Sequence, residues 1–292
     1  METPVRAARR QTRVEEWALV LAAASIPHRV ERDGAGFLLI VPDADALQAQ
    51  AALDAYDEEA RAERHAALAE QASPRLAWAV GVAVATLLLA FFAVTGPPGA
   101  GSRWFEHGAA SARLIVGGEP WRAVTALTLH VNAVHVAGNA LAAAVLLPAI
   151  VQQLGPGGGL WLVLLAGTAG NMLAALVYDP RHVAVGASTA TFGAIGILAA
   201  LRLLPAPAGA GTRRKRWPVL AASLVLAAML GTGPGADVLA HVLGLLAGGV
   251  LGLAAGAVLR RPPGAPVQWS LVALAALALV GCWRLALAAA VP

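Results

Sequence analysis

From Leu76 onward, long apolar runs alternate with short loops that hold most of the polar residues of this part of the chain. A helix needs about 20 consecutive apolar residues to cross a bilayer. The pattern therefore predicts seven membrane-spanning helices, of which the fifth is short and is bounded by Pro218 and a glycine-rich stretch. The predicted spans cover residues 76–94, 124–151, 160–178, 187–204, 217–231, 236–259 and 267–290.

Residues 1–75 follow a different pattern, in which short apolar stretches are separated by charged residues and turn signals. Asp33-Gly34 indicates a hairpin turn, and Asp43 or Asp45 suits the start of a long helix. We expect a small soluble αββα domain that serves as a cytosolic appendage without chemistry of its own. Its predicted elements are a helix over 14–25, strands over 27–31 and 36–41, and a helix to about residue 71.

The composition supports a membrane protein. Hydrophobic residues make up 58% of the 292-residue chain and charged residues 13%, about half the charged share of a soluble domain. The single cysteine, Cys282, excludes a disulfide scaffold. The net charge of +4 does not indicate a nucleic-acid binder, because residues 1–75 are acidic and the positive charge lies in the membrane part.

Arginine and lysine in the short loops predict the orientation of the chain in the membrane. Arg213–Arg216 follow the fourth predicted span and Arg260-Arg261 follow the sixth, so both groups lie on one side. That side is expected to be the cytoplasm. The N-terminus would then be cytoplasmic and the C-terminus extracytoplasmic, while residues 95–123 would form a structured external loop.

Polar side chains within the predicted spans are costly, and by default they indicate function. With this topology, His130, His135, Asn139, Ser188 and His241 all fall in the outer parts of their spans. A hydroxyl, imidazoles and an amide at one depth are the groups that nucleophilic acyl transfer requires. Taken singly, a serine at a helix start suits an N-cap, and a histidine in a span suits a packing or proton-relay residue. A transition-metal transporter would normally add carboxylates or thiolates to the histidines.

Helix geometry divides these residues further. His135 and Asn139 are four positions apart and share a helix face, whereas His130 would point about 140° away from His135 on the same helix. We therefore expect His130 to have a different role, such as tying the external loop to the span. His241, Gly244 and Gly248 form a stripe along which another helix could approach closely.

Four sequence motifs resemble the rhomboid family of intramembrane serine proteases, in order and spacing. The resemblance covers about residues 76–259, and the last predicted span is similar to the helix that some members add to a six-helix core. The motifs are Trp121-Arg122, HVNAVHVAGN (His130–Asn139), GASTATFG (Gly186–Gly193) and AHVLGLLAGG (Ala240–Gly249).

The resemblance implies a role for each matching residue. Ser188 would be the nucleophile and His241 the general base, forming a dyad without a carboxylate, and Asn139, His135 and the Ser188 N–H would stabilise the oxyanion. Phe192 would pack against His241. We expect Asp237 to cap its helix rather than complete a triad, and Trp121 and Arg122 to anchor the external loop at the level of the lipid headgroups.

One residue departs from the family pattern. Thr189 follows the serine where the family usually has glycine, and a β-branched side chain there could crowd the nucleophile. The alternative to an active protease is therefore an inactive relative that only binds membrane segments.

Together these observations predict an all-α polytopic membrane protein with three parts. Residues 1–75 would form the soluble α+β domain, 76–259 a six-span rhomboid-like core, and 260–292 a cytosolic turn and a seventh span. The expected activity is cleavage of single-span membrane proteins near the outer boundary of a bacterial-type plasma membrane. The expected partners are these substrates and the lipid bilayer, without nucleic acid, metal or organic cofactor, and the fifth span is a candidate lateral gate for the substrate.

Overall fold

The computed structural model describes residues 2–34, 36–70, 73–99, 101–203, 237–259 and 262–289, and it describes no side chains for residues 62–70. The chain divides into two compact units, residues 1–69 and residues 70–292. The predicted fifth span, 217–231, lies outside the described residues.

The N-terminal unit is a three-stranded antiparallel sheet with two helices. Its strand order is β1-β3-β2, and its core is formed by apolar side chains of the helices and of β3. Val14, Trp17 and Leu21 recur at helical spacing, so the first helix buries one face against the sheet. The elements are β1 (Glu2–Ala8), α1 (Gln11–Ala23), β2 (Arg29–Asp33), β3 (Gly36–Pro42), a 3₁₀ turn (Asp43–Asp45) and α2 (Ala46–Glu70).

Strand β1 corrects the predicted αββα order, because the sequence pattern gave no strand before the first helix. Only Val5 is buried in β1, and Pro4 disfavours a strand, so the local signal is weak. The strand forms by pairing with β3, which lies more than 25 residues later in the chain. Asp43, predicted as a possible cap, accepts a hydrogen bond from Thr3 Oγ1 of this added strand.

The larger unit consists mainly of apolar helices. Within the described residues, four helices are long and apolar enough to cross a membrane, and α8 is a shorter apolar helix. These helices and their composition indicate an integral membrane protein. The four are α3 (Pro74–Thr95), α7 (Ala133–Val177), α9 (Val238–Val258) and α10 (Ala265–Ala288), and the shorter one is α8 (Ser188–Leu203).

Helix α7 contains the second and third predicted spans as two arms that meet at Gly155. This glycine has φ 77° and ψ 167°, a conformation that interrupts the helix and that a side chain would disfavour. Asn171 in the second arm donates to the Ala123 carbonyl, before the first arm begins, so the arms run back along each other.

The side chain of Gln268 from α10 satisfies backbone groups that this reversal leaves free. Its oxygen accepts from the Gly157 and Gly158 N–H groups at 2.8 and 3.0 Å. Its nitrogen donates to the Leu154 carbonyl at 3.0 Å.

The first arm of α7 begins later than the predicted span. Residues 122–128 form a short helix, α6 (Arg122–Thr125), followed by a 3₁₀ turn (Ala126–Thr128), and α7 starts at Ala133. The Asn132 side chain caps the helix by accepting from the His135 N–H at 2.8 Å. His130 therefore lies before the helix, and the expected 140° separation from His135 does not apply.

The predicted external loop is structured. It contains α4 (Arg103–Gly108), β4 (Ala110–Ser111) and α5 (Ala112–Val116), and β4 pairs with β5 (Val183–Ala184). This two-stranded sheet connects the loop to the segment that directly precedes Ser188.

Candidate active site

Ser188 and His241 meet where the first turns of α8 and α9 lie side by side. The His241 Nε2 and Ser188 Oγ atoms are 2.8 Å apart, within hydrogen-bond distance. The two residues are only 7% and 3% exposed, so the pair is largely shielded by protein atoms. A buried hydroxyl within hydrogen-bond distance of an imidazole nitrogen is an arrangement that can activate the serine oxygen for nucleophilic attack.

Glycines on α9 allow the two helices to approach closely enough for this contact. A Cβ atom at Gly244 would lie 2.3 Å from the Thr189 carbonyl oxygen, and one at Gly248 would lie 2.0 Å from the Gly193 carbonyl oxygen. Both distances are far below any allowed contact. The stripe expected from the sequence is therefore the surface of α9 that packs against α8.

The His241 ring is held by an aromatic neighbour. Phe192, one turn after Ser188 on α8, stacks on the imidazole with ring centroids 4.4 Å apart and an interplanar angle of 4°. His241 Nδ1 has no hydrogen-bond partner among the described residues. The site therefore has a serine–histidine pair in which stacking on Phe192 orients the imidazole ring.

Asp237 caps α9 instead of contacting the His241 side chain. Its Oδ1 accepts from the Ala240 N–H at 3.0 Å and from the Tyr178 hydroxyl, and its Oδ2 lies 2.7 Å from His182 Nε2. The structure thus confirms the expected capping role of Asp237. Tyr178 and His182 follow α7, and their contacts with Asp237 link this segment to the start of α9. The sequence did not predict these contacts, because the two residues lie more than 50 positions from Asp237.

Asn139, His135 and Gly186 lie together beside the start of α8. Asn139 is fully buried; its nitrogen donates to the His135 carbonyl at 3.1 Å, and its oxygen faces Thr191 Oγ1 at 3.4 Å. Gly186 has φ 131°, and a Cβ there would lie 2.5 Å from the His135 ring. Position 186 thus requires glycine, because its backbone conformation disfavours a side chain and the His135 ring leaves no room for one. Thr191 was missed, although it lies three positions after Ser188 on the same helix.

The His130 side chain lies beside His135, which corrects the expected separation of about 140° between the two. Its ring centroid is 5.2 Å from that of His135, with the rings nearly perpendicular. Its Nε2 accepts a long hydrogen bond of 3.4 Å from the N–H of Ala187, the residue before Ser188. The extended backbone before α7 brings the two imidazoles together.

Arg122 is buried by residues of the loop, so its guanidinium does not make the expected contact with lipid headgroups. It is 4% exposed, and it donates to the Glu119 carboxylate and to the carbonyls of Glu106 and Ala109. A guanidinium has five donors, which suits it to bind several acceptors of the loop at once. Trp121 packs partly buried beside Leu129, and its indole N–H has no partner among the described residues.

Comparison with known proteins assigns this region to a family. Residues 117–258, which contain Ser188, His241, Asn139, His135 and Phe192, match the rhomboid domain family. Over 91 residues, or 31% of this chain, the sequence is 38% identical to the protein named rhomboid protease GluP of Bacillus subtilis (strain 168). The match covers 18% of the length of that relative.

Proposed function

We propose, from the rhomboid domain that the chain carries over residues 117–258, that it is an intramembrane serine endopeptidase with Ser188 as nucleophile and His241 as general base. The observation that supports this most directly is the 2.8 Å contact between Ser188 Oγ and His241 Nε2. The two residues are 53 positions apart, and each lies in the first turn of its own helix.

The first chemical step is attack of the Ser188 oxygen on a peptide carbonyl of the substrate. His241 Nε2 takes the hydroxyl proton as the new C–O bond forms, and the resulting imidazolium then protonates the leaving amine. Phe192 keeps the ring in the plane that both transfers need. Water, activated by the same histidine, hydrolyses the acyl-enzyme and restores Ser188.

The start of α8 and its neighbours would stabilise the oxyanion. The N–H groups of a helix's first turn have no acceptor within the helix. The Ser188 N–H can therefore donate to the negatively charged oxygen of the intermediate. The Asn139 amide and the His135 imidazole are the proposed side-chain donors. Asn139 has a second N–H besides the one donated to the His135 carbonyl.

The proposed substrate class is the one that the resemblance to the rhomboid family implies. A helix hides its carbonyls in i to i−4 hydrogen bonds, so the segment to be cut must unwind before Ser188 can attack. We propose that the substrates are single-span membrane proteins cut near the outer boundary of their helix. Small and helix-breaking residues near the cut would favour cleavage.

The decisive experiment is cleavage of a single-span reporter by the full chain in liposomes, beside Ser188→Ala and His241→Ala. Wild type should cleave and should react with a fluorophosphonate probe, whereas both variants should lose more than a hundredfold in rate. Equal labelling of wild type and Ser188→Ala would remove Ser188 as nucleophile. Binding of the reporter without labelling or cleavage would favour the inactive membrane-segment binder.

Orientation is part of the proposal, with the N-terminus in the cytoplasm and the C-terminus outside the plasma membrane. Cys282 can be replaced by alanine, and single cysteines can then be placed at Leu47 in the N-terminal unit and at Val116 in the loop, both of them well exposed. In intact cells an impermeant maleimide should label Val116→Cys and spare Leu47→Cys. The reverse pattern would invert the topology and place the dyad near the cytoplasmic face.

A further inference from the structure

Trp283, near the C-terminal end of helix α10, contacts the segment that follows α6. Trp283 is 9% exposed, and its indole N–H donates to Thr128 Oγ1 at 3.2 Å. Its ring occupies the space above Gly108, where a Cβ would lie 2.3 Å from the ring, and it packs against Leu129. The ring also has Phe91 and Trp104 as aromatic neighbours at centroid distances of 5.5 and 5.2 Å.

Thr128 is oriented to receive this hydrogen bond. Its hydroxyl proton goes to the Thr125 carbonyl at 2.7 Å, which leaves the oxygen lone pairs for the indole N–H. The hydroxyl therefore joins α10 to the turn that ends α6. Removing either partner breaks the link without changing any residue of the proposed dyad.

The segment that Trp283 holds is the one on which the residues before Ser188 rest. The Ala126 carbonyl accepts from the Gly186 N–H at 2.9 Å, and His130 Nε2 accepts from the Ala187 N–H at 3.4 Å. Thr128 lies midway between these two contacts. A shift of the Ala126–His130 segment would move the backbone that sets the position of the Ser188 oxygen and its N–H.

Outside this cluster, the described contacts of α10 are made with other parts of the larger unit. At the other end of the helix, Gln268 bonds to the reversal in α7, far along the chain from Ser188. Between the two ends, Leu274, Leu277 and Val280 are more than half exposed. Trp283 is thus the described α10 residue that hydrogen-bonds to the segment beside the nucleophile, while Ala286 packs in the same apolar cluster as Leu129.

We propose that Trp283 is a positioning residue of the active site and acts through its hydrogen bond to Thr128. This inference rests on the proposed function. It assigns to the seventh predicted span a part in the reaction that its place outside the six-span core did not suggest.

The test compares Trp283→Phe, which keeps an aromatic ring but removes the N–H, with Thr128→Val, which keeps the shape but removes the hydroxyl. Each should lower kcat about fivefold, the effect of one lost hydrogen bond, and leave KM unchanged. The double variant should lose no more than Thr128→Val alone, because Thr128→Val already lacks the bond that Trp283→Phe removes. Thr128→Ser, which restores the acceptor, should recover most of the rate.

Trp269→Phe is the matched control, since Trp269 is on the same helix but 53% exposed, and it should leave kcat unchanged. Thermal unfolding in detergent is measured for every variant. Unchanged kcat in Trp283→Phe and Thr128→Val, or losses that add in the double variant, would overturn the inference while leaving the proposed function intact. A wild-type protein that neither cleaves nor reacts with the fluorophosphonate would instead refute the proposed function itself.

Discussion

Thr189 shows how a departure from a family pattern is accommodated by packing. Its methyl group would lie 2.5 Å from a Cβ at Gly170 and 3.0 Å from one at Gly244, so it fills the space between the second arm of α7 and helix α9. The side chain is 4% exposed. Glycines on the two neighbouring helices give the threonine its room, which argues against crowding of Ser188.

We predict that Thr189→Gly lowers the stability of the protein without raising its activity. Loss of the buried methyl and of helix propensity should reduce the free energy of unfolding by about 1–2 kcal/mol. The value of kcat should stay within about twofold. Thermal unfolding in detergent and reporter cleavage measure the two effects, and Thr189→Ser separates the methyl from the backbone contribution. A severalfold rise in kcat for Thr189→Gly would show that threonine crowds the nucleophile.

Phe192 is predicted to contribute through the orientation of the His241 ring. Stacked aromatic pairs are worth about 0.5–1.5 kcal/mol, so Phe192→Leu should lower kcat roughly two- to twelvefold. Phe192→Tyr keeps the ring face and should retain most of the activity. Steady-state cleavage of the reporter measures both variants. A Phe192→Leu protein as active as wild type would mean that the ring is held by other contacts.

At the scale of elements, the contact between α8 and α9 depends on backbone touching backbone. A Cβ at Gly248 would meet the Gly193 carbonyl oxygen, which no side-chain rotation can move. At the next residue, Gly249, a Cβ would meet nothing within 4 Å, because this position points away from the interface. An alanine substitution is therefore sterically forbidden at Gly248 and allowed at Gly249 of the same helix.

Gly248→Ala should separate the helices and abolish the Ser188–His241 contact, whereas Gly249→Ala should be neutral. Overpacking of this kind costs about 1–3 kcal/mol, and the dyad distance tolerates little movement. The expected result is a loss of fluorophosphonate labelling of more than tenfold in Gly248→Ala alone. Equal labelling of the two alanine variants would show that the interface can absorb a methyl group.

Gln268 is predicted to stabilise the reversal between the two arms of α7. In Gln268→Leu the Gly157 and Gly158 N–H groups and the Leu154 carbonyl lose their partner, and an unpaired buried group costs about 1–3 kcal/mol. The unfolding temperature should fall by several degrees. Gln153→Leu is the control, because among the described residues this exposed glutamine bonds only to Ala149 of its own helix. Similar unfolding temperatures for the two variants would contradict the role.

At the scale of the whole molecule, the proposed chemistry belongs to one of two units. All the predicted site residues lie in residues 70–292, and the N-terminal unit has a core of its own. We predict that a variant lacking residues 2–69 keeps its rate of fluorophosphonate labelling within about twofold. Labelling in liposomes, with Ser188→Ala in the same shortened chain as control, measures this. A large loss would assign the N-terminal unit a part in forming the site.

Much of the larger unit could be predicted from the sequence, because its signals are local. The length of an apolar run predicts a span, and the described helices match six of the seven predicted runs, apart from the late start of α7. The spacing of His241, Gly244 and Gly248 predicted the packing face of α9. The motif around Ser188 and that around His241 named the two residues that the structure brings within 2.8 Å.

The sequence alone thus determined where the apolar helices run and which side chains carry the candidate chemistry, since both depend on residues close together in the chain. The tertiary structure alone decided the pairing of β1 with β3, the burial of Arg122, the turn of His130 towards His135 and the attachment of Trp283 to Thr128. Each of these depends on a contact with residues that no local pattern specifies. Such contacts form only when the folded chain brings a donor, an acceptor or an apolar surface to the same place.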